Sequence, residues 1–325
     1  MNILVFGYGN IAIRHIRNLL ELTQVKHIDI VRATLAPILE DFKVTTSVFS
    51  DVHSVIDSKK FHLALICSPT TFHFEHLEMC FKRNIPCLVE KPISLTEKQS
   101  CKLLKLHREN PVPVLLGYDI RFTKGYAKIS SILREQQVGE IWKLMVQVGQ
   151  YLPSWRTGKD YRKSVSAQKS LGGGVLRELS HEIDYLIGLF EIQPEQMFSI
   201  LINNNLLDMD CENYAQIIGN AKIAGQNSTC GFYISLDMLS YIPKRKLLIQ
   251  SDKLDIEWDL LAQSILVSDG RLQSTISVEE STNQPYVNMM QLFLSKIEKS
   301  DLSNHALEQG NAVMQFIEEI ERGHM

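Results

Sequence analysis

Residues 3–22 read ILVFGYGNIAIRHIRNLLEL. Four apolar residues run into Gly7-Tyr8-Gly9, and the stretch that follows carries apolar residues at 11, 16, 19, 20 and 22, the spacing of one helix face. A strand, a two-glycine turn and a helix in direct succession narrow the possible folds sharply. In the G-x-G-x-x-A pattern from Gly7 to Ala12, a Cβ would block the tight turn and the approach of a pyrophosphate, and the helix N-terminus supplies amide donors and a positive dipole end. The reading is a dinucleotide site at Gly7, Tyr8, Gly9, Asn10 and Ile11. A purely structural glycine turn is the alternative.

The pattern continues. Short Val-, Ile- and Leu-rich runs at 27–31, 62–67, 86–89 and 113–117 alternate with amphipathic stretches such as 72–83, which predicts βαβ units on a parallel sheet. Beyond about residue 140, long runs of partial alternation follow one another without helices (IWKLMVQVGQYL, FSILINNNLL, AQIIGNAKIAG, STCGFYISLDML, KLLIQS), as in an antiparallel sheet. Helices are predicted near 174–189, 285–298 and 303–321. The expectation is an α/β protein: a Rossmann doubly wound parallel sheet over 1–120, then an α+β domain with a large, mostly antiparallel open sheet over 121–325.

With 325 residues, 45% of them hydrophobic, the chain can bury the core of two domains. Its net charge of −3 and the lack of a dense Lys/Arg run argue against a nucleic-acid partner. No apolar run reaches the length of a membrane span, and a cytoplasmic protein is expected. The six cysteines form no C-x-x-C pair, so neither a zinc site nor a disulfide framework is indicated, and no metal is expected.

The end of the second predicted strand bears on the cofactor. An acidic residue there would bind the ribose of NAD, whereas an arginine suits the extra phosphate of NADP. Asp29 lies inside the run HIDIV and Arg32 just beyond it, which favours NADP over NAD.

Further motifs fall into order: Cys67-Ser68-Pro69…His73, Glu90-Lys91-Pro92, Gly117-Tyr118…Arg121-Phe122, Gly139-Glu140-Ile141, and Gly172-Gly173-Gly174 followed by His181 and Asp184. With the N-terminal turn they resemble the Gfo/Idh/MocA family (glucose-fructose oxidoreductase, inositol dehydrogenase, rhizopine catabolism) over nearly the whole chain. The resemblance implies NAD(P) and the oxidation or reduction of a sugar or polyol carbon. Residues 149–186 are similar to a bacterial subgroup found among genes for nonulosonic acids and other surface sugars, which points to a nucleotide-linked or acidic sugar.

The resemblance further implies Lys91 as acid/base, with a cis bond before Pro92, and His181 acting at the substrate oxygen. The family's aspartate four residues before that histidine is Arg177 here, which leaves Glu178, three residues before His181, or Asp184 to orient it. Cys67, Ser68, Pro69, His73, Glu90, Lys91 and Pro92 are expected at the cofactor. The loop Tyr151, Trp155, Arg156, Tyr161 and Arg162 mixes rings that stack on sugars with guanidinium groups that pair with anions, so it is a candidate substrate clamp alongside Arg121 and Arg177. A homodimer or homotetramer through the C-terminal sheet is expected. Two rival readings stay open: a cofactor-binding regulatory or scaffold protein without turnover, and a reductase of a non-sugar carbonyl.

Overall fold

A computed structural model describes every residue except 36, 37, 39, 136, 137, 156, 157, 324 and 325. The chain divides into two compact units, Met1–Asp119 with Asn283–Met314, and Ile120–Thr282 with Gln315–Met325.

Unit 1 contains β1 (Asn2–Phe6), α1 (Asn10–Leu22), β2 (His27–Val31), β3 (Thr45–Phe49), β4 (Leu63–Ile66), α2 (His73–Phe81), β5 (Cys87–Val89), α3 (Glu97–Glu109) and β6 (Val114–Leu116). Its six strands lie in the order β3-β2-β1-β4-β5-β6, every neighbouring pair parallel. Parallel strands are sandwiched between helices, so Ile3, Leu4, Val5 and Phe6 are all fully buried and the strand reads as an unbroken apolar run. The direction of strand addition reverses between β1 and β4. In doubly wound sheets, ligands bind in the crevice outside the carboxyl ends of the strands at that switch point.

β3 went unread because TTSVF has no apolar run, being a half-exposed edge strand. The single boundary expected at residue 120 also needs correction. The chain leaves unit 1 after Asp119 but returns to it with α7 (Gln284–Glu298) and the start of α8 (His305–Arg322). Asn18 and Asn283 exchange side-chain hydrogen bonds, Arg14 lies 4.3 Å over the Tyr286 ring, and Ser100 donates to Asn311 at 2.8 Å. An amphipathic helix advertises an apolar face, not which body that face will cover.

Unit 2 contains α4 (Lys124–Arg134), β7 (Ile141–Gly149), α5 (Val175–Glu178), α6 (His181–Phe190) and β8 to β14 (Gln193–Ile202, Tyr214–Lys222, Thr229–Asp237, Lys244–Ser251, Asp255–Asp259, Ser264–Ser268, Gln273–Ser277). The eight strands run β14-β13-β12-β11-β7-β10-β9-β8, antiparallel except for the parallel pair β7–β10. Alternation sorts the two faces: Phe232, Ile234 and Leu236 of β10 are buried, whereas Phe198, Ile200 and Ile202 of β8 are exposed. The last three strands, each five residues long, were not predicted.

One sequence expectation fails here with consequences for the site. The helix predicted over 174–189 breaks at Leu179–Ser180, so Glu178 closes one four-residue helix and His181 opens the next. The i, i+3 relation on a common helix face, which would set Glu178 beside His181, therefore does not apply.

Phe293 of α7 is fully buried. Phe293→Ala is expected to cost about 3–5 kcal/mol, with amide protection lost in the parallel sheet of unit 1 and retained in the antiparallel sheet. Hydrogen exchange that shows the reverse would return 283–314 to the C-terminal domain.

Candidate active site

The two glycines after β1 serve different purposes. Gly7 has φ +85°, and a Cβ there would stand 2.6 Å from the Cys67 carbonyl oxygen and 2.9 Å from the Ser68 Cα, so the fold itself requires glycine. Gly9 has φ −106°, open to any residue, and a Cβ on it would meet nothing within 4 Å. What a side chain there would obstruct lies outside the chain, at the N-terminus of α1, where amides and the dipole favour a phosphate. Ala12 is fully buried and lets α1 lie close against the sheet. These features fit a dinucleotide: Gly9, Asn10 and Ile11 would meet its pyrophosphate.

In the middle of β2, Asp29 is fully buried, 2.6 Å from His27 Nε2 and 2.7 Å from Lys59 Nζ. Its carboxylate is committed inside the protein. Arg32 follows the strand and carries its guanidinium 5.3 Å above the Tyr8 ring. The residue that presents itself beyond β2 is therefore a cation stacked on the glycine turn.

The loops after β4 and β5 are joined by His73, the first residue of α2. It is 1% exposed, with Nδ1 2.8 Å from the Pro92 carbonyl oxygen and Nε2 2.9 Å from that of Ser68. A ring so enclosed braces the two loops and does not present itself to a cofactor, which corrects the direct contact expected of it. Ser68 Oγ lies 3.0 Å from Nδ1 of His76, whose ring stacks on Phe6 at 4.1 Å.

Glu90, Lys91 and Pro92 follow β5 directly, and the Lys91–Pro92 peptide is cis, as the resemblance implies. Glu90 Oε1 lies 2.7 Å from Nε2 of the fully buried His15 on α1. A Cβ on Gly117 would come within 2.9 Å of the same carboxylate, so Gly117 leaves the space that Glu90 occupies. Tyr286 sits nearby, its hydroxyl held well above the usual tyrosine range by burial first and then by the carboxylates of Asp119 and Glu90. His15, Gly117 and Tyr286 were not in the predicted site. His15 sits in the second turn of the helix that follows the glycines, where it could have been noticed, whereas Tyr286 arrives from almost 200 residues beyond Glu90 with no local signal.

In unit 2 the predicted cations have intramolecular partners. Arg121 makes a two-point pair with Asp184 (Nε to Oδ2 2.7 Å, Nη2 to Oδ1 3.1 Å), and Asp184 is 1% exposed. Arg177 pairs with Glu321 at 2.6 Å, and Arg162 with Asp160 at 2.8 and 3.0 Å. Asp184 thus holds Arg121, while Arg121, Arg162 and Arg177 each already rest on a carboxylate. Arg156 lies outside the described residues. Tyr151 packs on Tyr241 with ring centroids 4.6 Å apart. Trp155 and Tyr161 line a pocket of about 370 Å³ formed by the loop after β7. Glu178 and His181 are half-buried. Among the described residues, no group of three or more His, Cys, Asp or Glu side chains is placed to hold a metal ion, and no helix is long and apolar enough to cross a membrane.

Burial lowers the pKa of His76 to about 3, with His73 adding to the effect, and burial also lowers that of His73. Unfolded histidines protonate near pH 6.5. The unfolded chain therefore takes up protons that these rings refuse in the folded state, and their stabilisation is complete above about pH 6.5 and declines as the pH falls toward 3. Urea unfolding between pH 7 and 5 should show this loss. His76→Gln should flatten its pH dependence by up to about 1.4 kcal/mol per pH unit, and an unchanged slope would contradict the assignment.

Comparison with known proteins places this geometry. Residues 1–118 match the model of the Gfo/Idh/MocA oxidoreductase family, described as an NAD-binding Rossmann fold. An uncharacterized oxidoreductase of Synechocystis sp. is 26% identical over 193 residues, covering 58% of this chain and 51% of that protein. The inositol 2-dehydrogenase of Serratia proteamaculans is 27% identical over 199 residues, covering 59% and 55%. These matches span about half of each relative's own length. Among solved structures, levoglucosan dehydrogenase in complex with NADH and L-sorbose superposes with a TM-score of 0.82 at 15% identity, over 99% of this chain and 96% of that one, and so shares the fold. Residues 1–118, which carry the glycine turn, the loop after β4 and Glu90-Lys91-Pro92, are thus similar to the NAD-binding Rossmann domain of the Gfo/Idh/MocA oxidoreductases.

Proposed function

We propose that the protein is an NAD(P)-dependent oxidoreductase that transfers a hydride between nicotinamide and a carbon of a sugar, sugar nucleotide or acidic sugar derivative. The observation that carries this reading is the position of Lys91. It stands at the carboxyl end of β5 in a sheet whose switch point bears a turn shaped for a pyrophosphate. Relatives named inositol 2-dehydrogenase and levoglucosan dehydrogenase support a polyhydroxylated substrate.

When bound, nicotinamide donates or accepts the hydride. The chain must then move the hydroxyl proton, and Lys91 Nζ takes it as the carbinol is oxidised or returns it as the carbonyl is reduced. Glu90, held by His15, keeps a carboxylate next to Lys91 in sequence and so sets the charge at this strand end. His181 assists at the substrate oxygen. Asp184, bound to Arg121, orients that part of unit 2 and is not itself a proton-transfer group. For the cofactor, Arg32 beyond β2 and the sequestered Asp29 favour NADP(H) over NAD(H).

Lys91→Met is expected to abolish turnover of the active sugar while leaving the cofactor Kd within a few-fold, as read by nucleotide fluorescence. Full activity in the variant would defeat the mechanism. In the same titration NADPH should bind more tightly than NADH, and tighter NADH binding would overturn the cofactor preference.

We further propose a homo-oligomer assembled through the outer face of the antiparallel sheet. There Phe198 and Ile218, directly paired across β8 and β9, are 54% and 59% exposed, and Ile200 is 54% exposed beside them. Light scattering should give at least a dimer, and Ile218→Lys should lower the mass. A monomeric wild-type protein would rule the assembly out.

A further inference from the structure

We infer that the loop between β7 and α5 forms its own binding pocket for a monosaccharide bearing an anionic group, a carboxylate or a phosphate. The inference deepens the proposed function and rests on its reading of a sugar-type substrate.

The pocket is built within unit 2 by a single stretch of chain, with Trp155, Lys159, Tyr161, Lys163 and Ser166 among its lining residues. Its volume of about 370 Å³ sits at the small end of ligand sites, about 300–1,000 Å³, which suits one sugar ring and not a dinucleotide. Two features give it chemistry. Trp155 offers an aromatic face, and its indole N–H is shielded from solvent with no hydrogen-bond partner among the described residues. C–H groups of a sugar ring would lie against that aromatic surface. Tyr161 is similarly fixed: its hydroxyl oxygen accepts from the Asp208 amide at 3.0 Å, which leaves the hydroxyl hydrogen to donate.

The charge balance selects the ligand. Lys163 brings an ammonium group to the lining, and among the described lining residues the carboxylate is that of Asp160. Arg162 donates to both oxygens of Asp160, at 2.8 and 3.0 Å, and the Arg162 amide adds a third bond at 3.1 Å. The guanidinium expected from sequence to grip the substrate instead neutralises the acid that would have repelled it. Lys163 then takes the part that the arginine was expected to play.

Tryptophan fluorescence of the full chain, titrated without cofactor, tests the pocket with three probes: D-glucuronate, D-glucose 1-phosphate and D-glucose. At least one anionic probe should quench saturably and bind about fivefold or more tightly than glucose, as one partly exposed ion pair allows. The tighter of the two anionic probes identifies the group as carboxylate or phosphate. Lys163→Ala should remove the preference over glucose. Trp155→Phe should remove the quench, whereas Trp142→Phe should leave it. Equal binding of the three sugars, no binding of either anionic probe, or an unchanged preference in Lys163→Ala would overturn the inference. Because no cofactor is present, failure here leaves the dehydrogenase reading intact, and loss of cofactor turnover in Lys91→Met leaves this pocket untouched.

Discussion

Unit 1 depends on one close approach. At the switch point of the parallel sheet, Gly7 comes so near the Cys67–Ser68 backbone that a single added carbon would lie 2.6 Å from a carbonyl oxygen. The backbone bonds Gly7 N to Val31 O and Cys67 N to Phe6 O, both 2.8 Å, tie the ends of β1, β2 and β4 together around it. Because that corner is closed by the chain itself, the space above Gly9 stays open at the end of a helix dipole, and the loops after β4 and β5 reach the same edge of the sheet. His73 then binds those two loops through the carbonyls of Ser68 and Pro92. Glycine thus does two separable jobs within three residues, one for the fold and one for a ligand.

Charge is handled by a different logic. A polar group removed from water is costly unless paired, and a buried carboxylate most of all. Glu90 is met by His15, Asp29 by His27 and Lys59, Asp184 by Arg121, and Glu182 by Arg245. In each case the partner comes from another element or lies well along the chain, except for His27, two residues from Asp29. This explains why Arg121, which reads as a substrate clamp in isolation, is found on an acid of the same chain. In the loop pocket, Lys163 matters more than Arg162, whose guanidinium is held by Asp160.

Much of the architecture could be read locally. The helix 10–22 and the strand 27–31 are found with the bounds that periodicity assigns them, because a strand buried on both faces and an amphipathic helix each write their burial into consecutive residues. The edge strands at 45–49 and 273–277 left no such trace, since half-exposed, polar strands are held by neighbours and not by their own apolar content, and the strands at 255–259 and 264–268 are too short for their alternation to stand out. The break at Leu179–Ser180 was equally invisible, for neither residue is a glycine or proline that would announce the end of a helix.

The sequence by itself determined the nucleotide-binding half: a strand, a glycine turn and a helix are contiguous, and so are Glu90, Lys91 and Pro92, so their chemistry is encoded within a few residues of chain. Only the tertiary structure decided which body α7 joins, that His15 and Gly117 shape the place of the Glu90 carboxylate, and that Arg121, Arg162 and Arg177 spend their charge on acids of the same chain. The reason is physical: dihedral preference and hydrophobic periodicity act between near neighbours in sequence, whereas the pairing of charges and the packing of helices act between near neighbours in space.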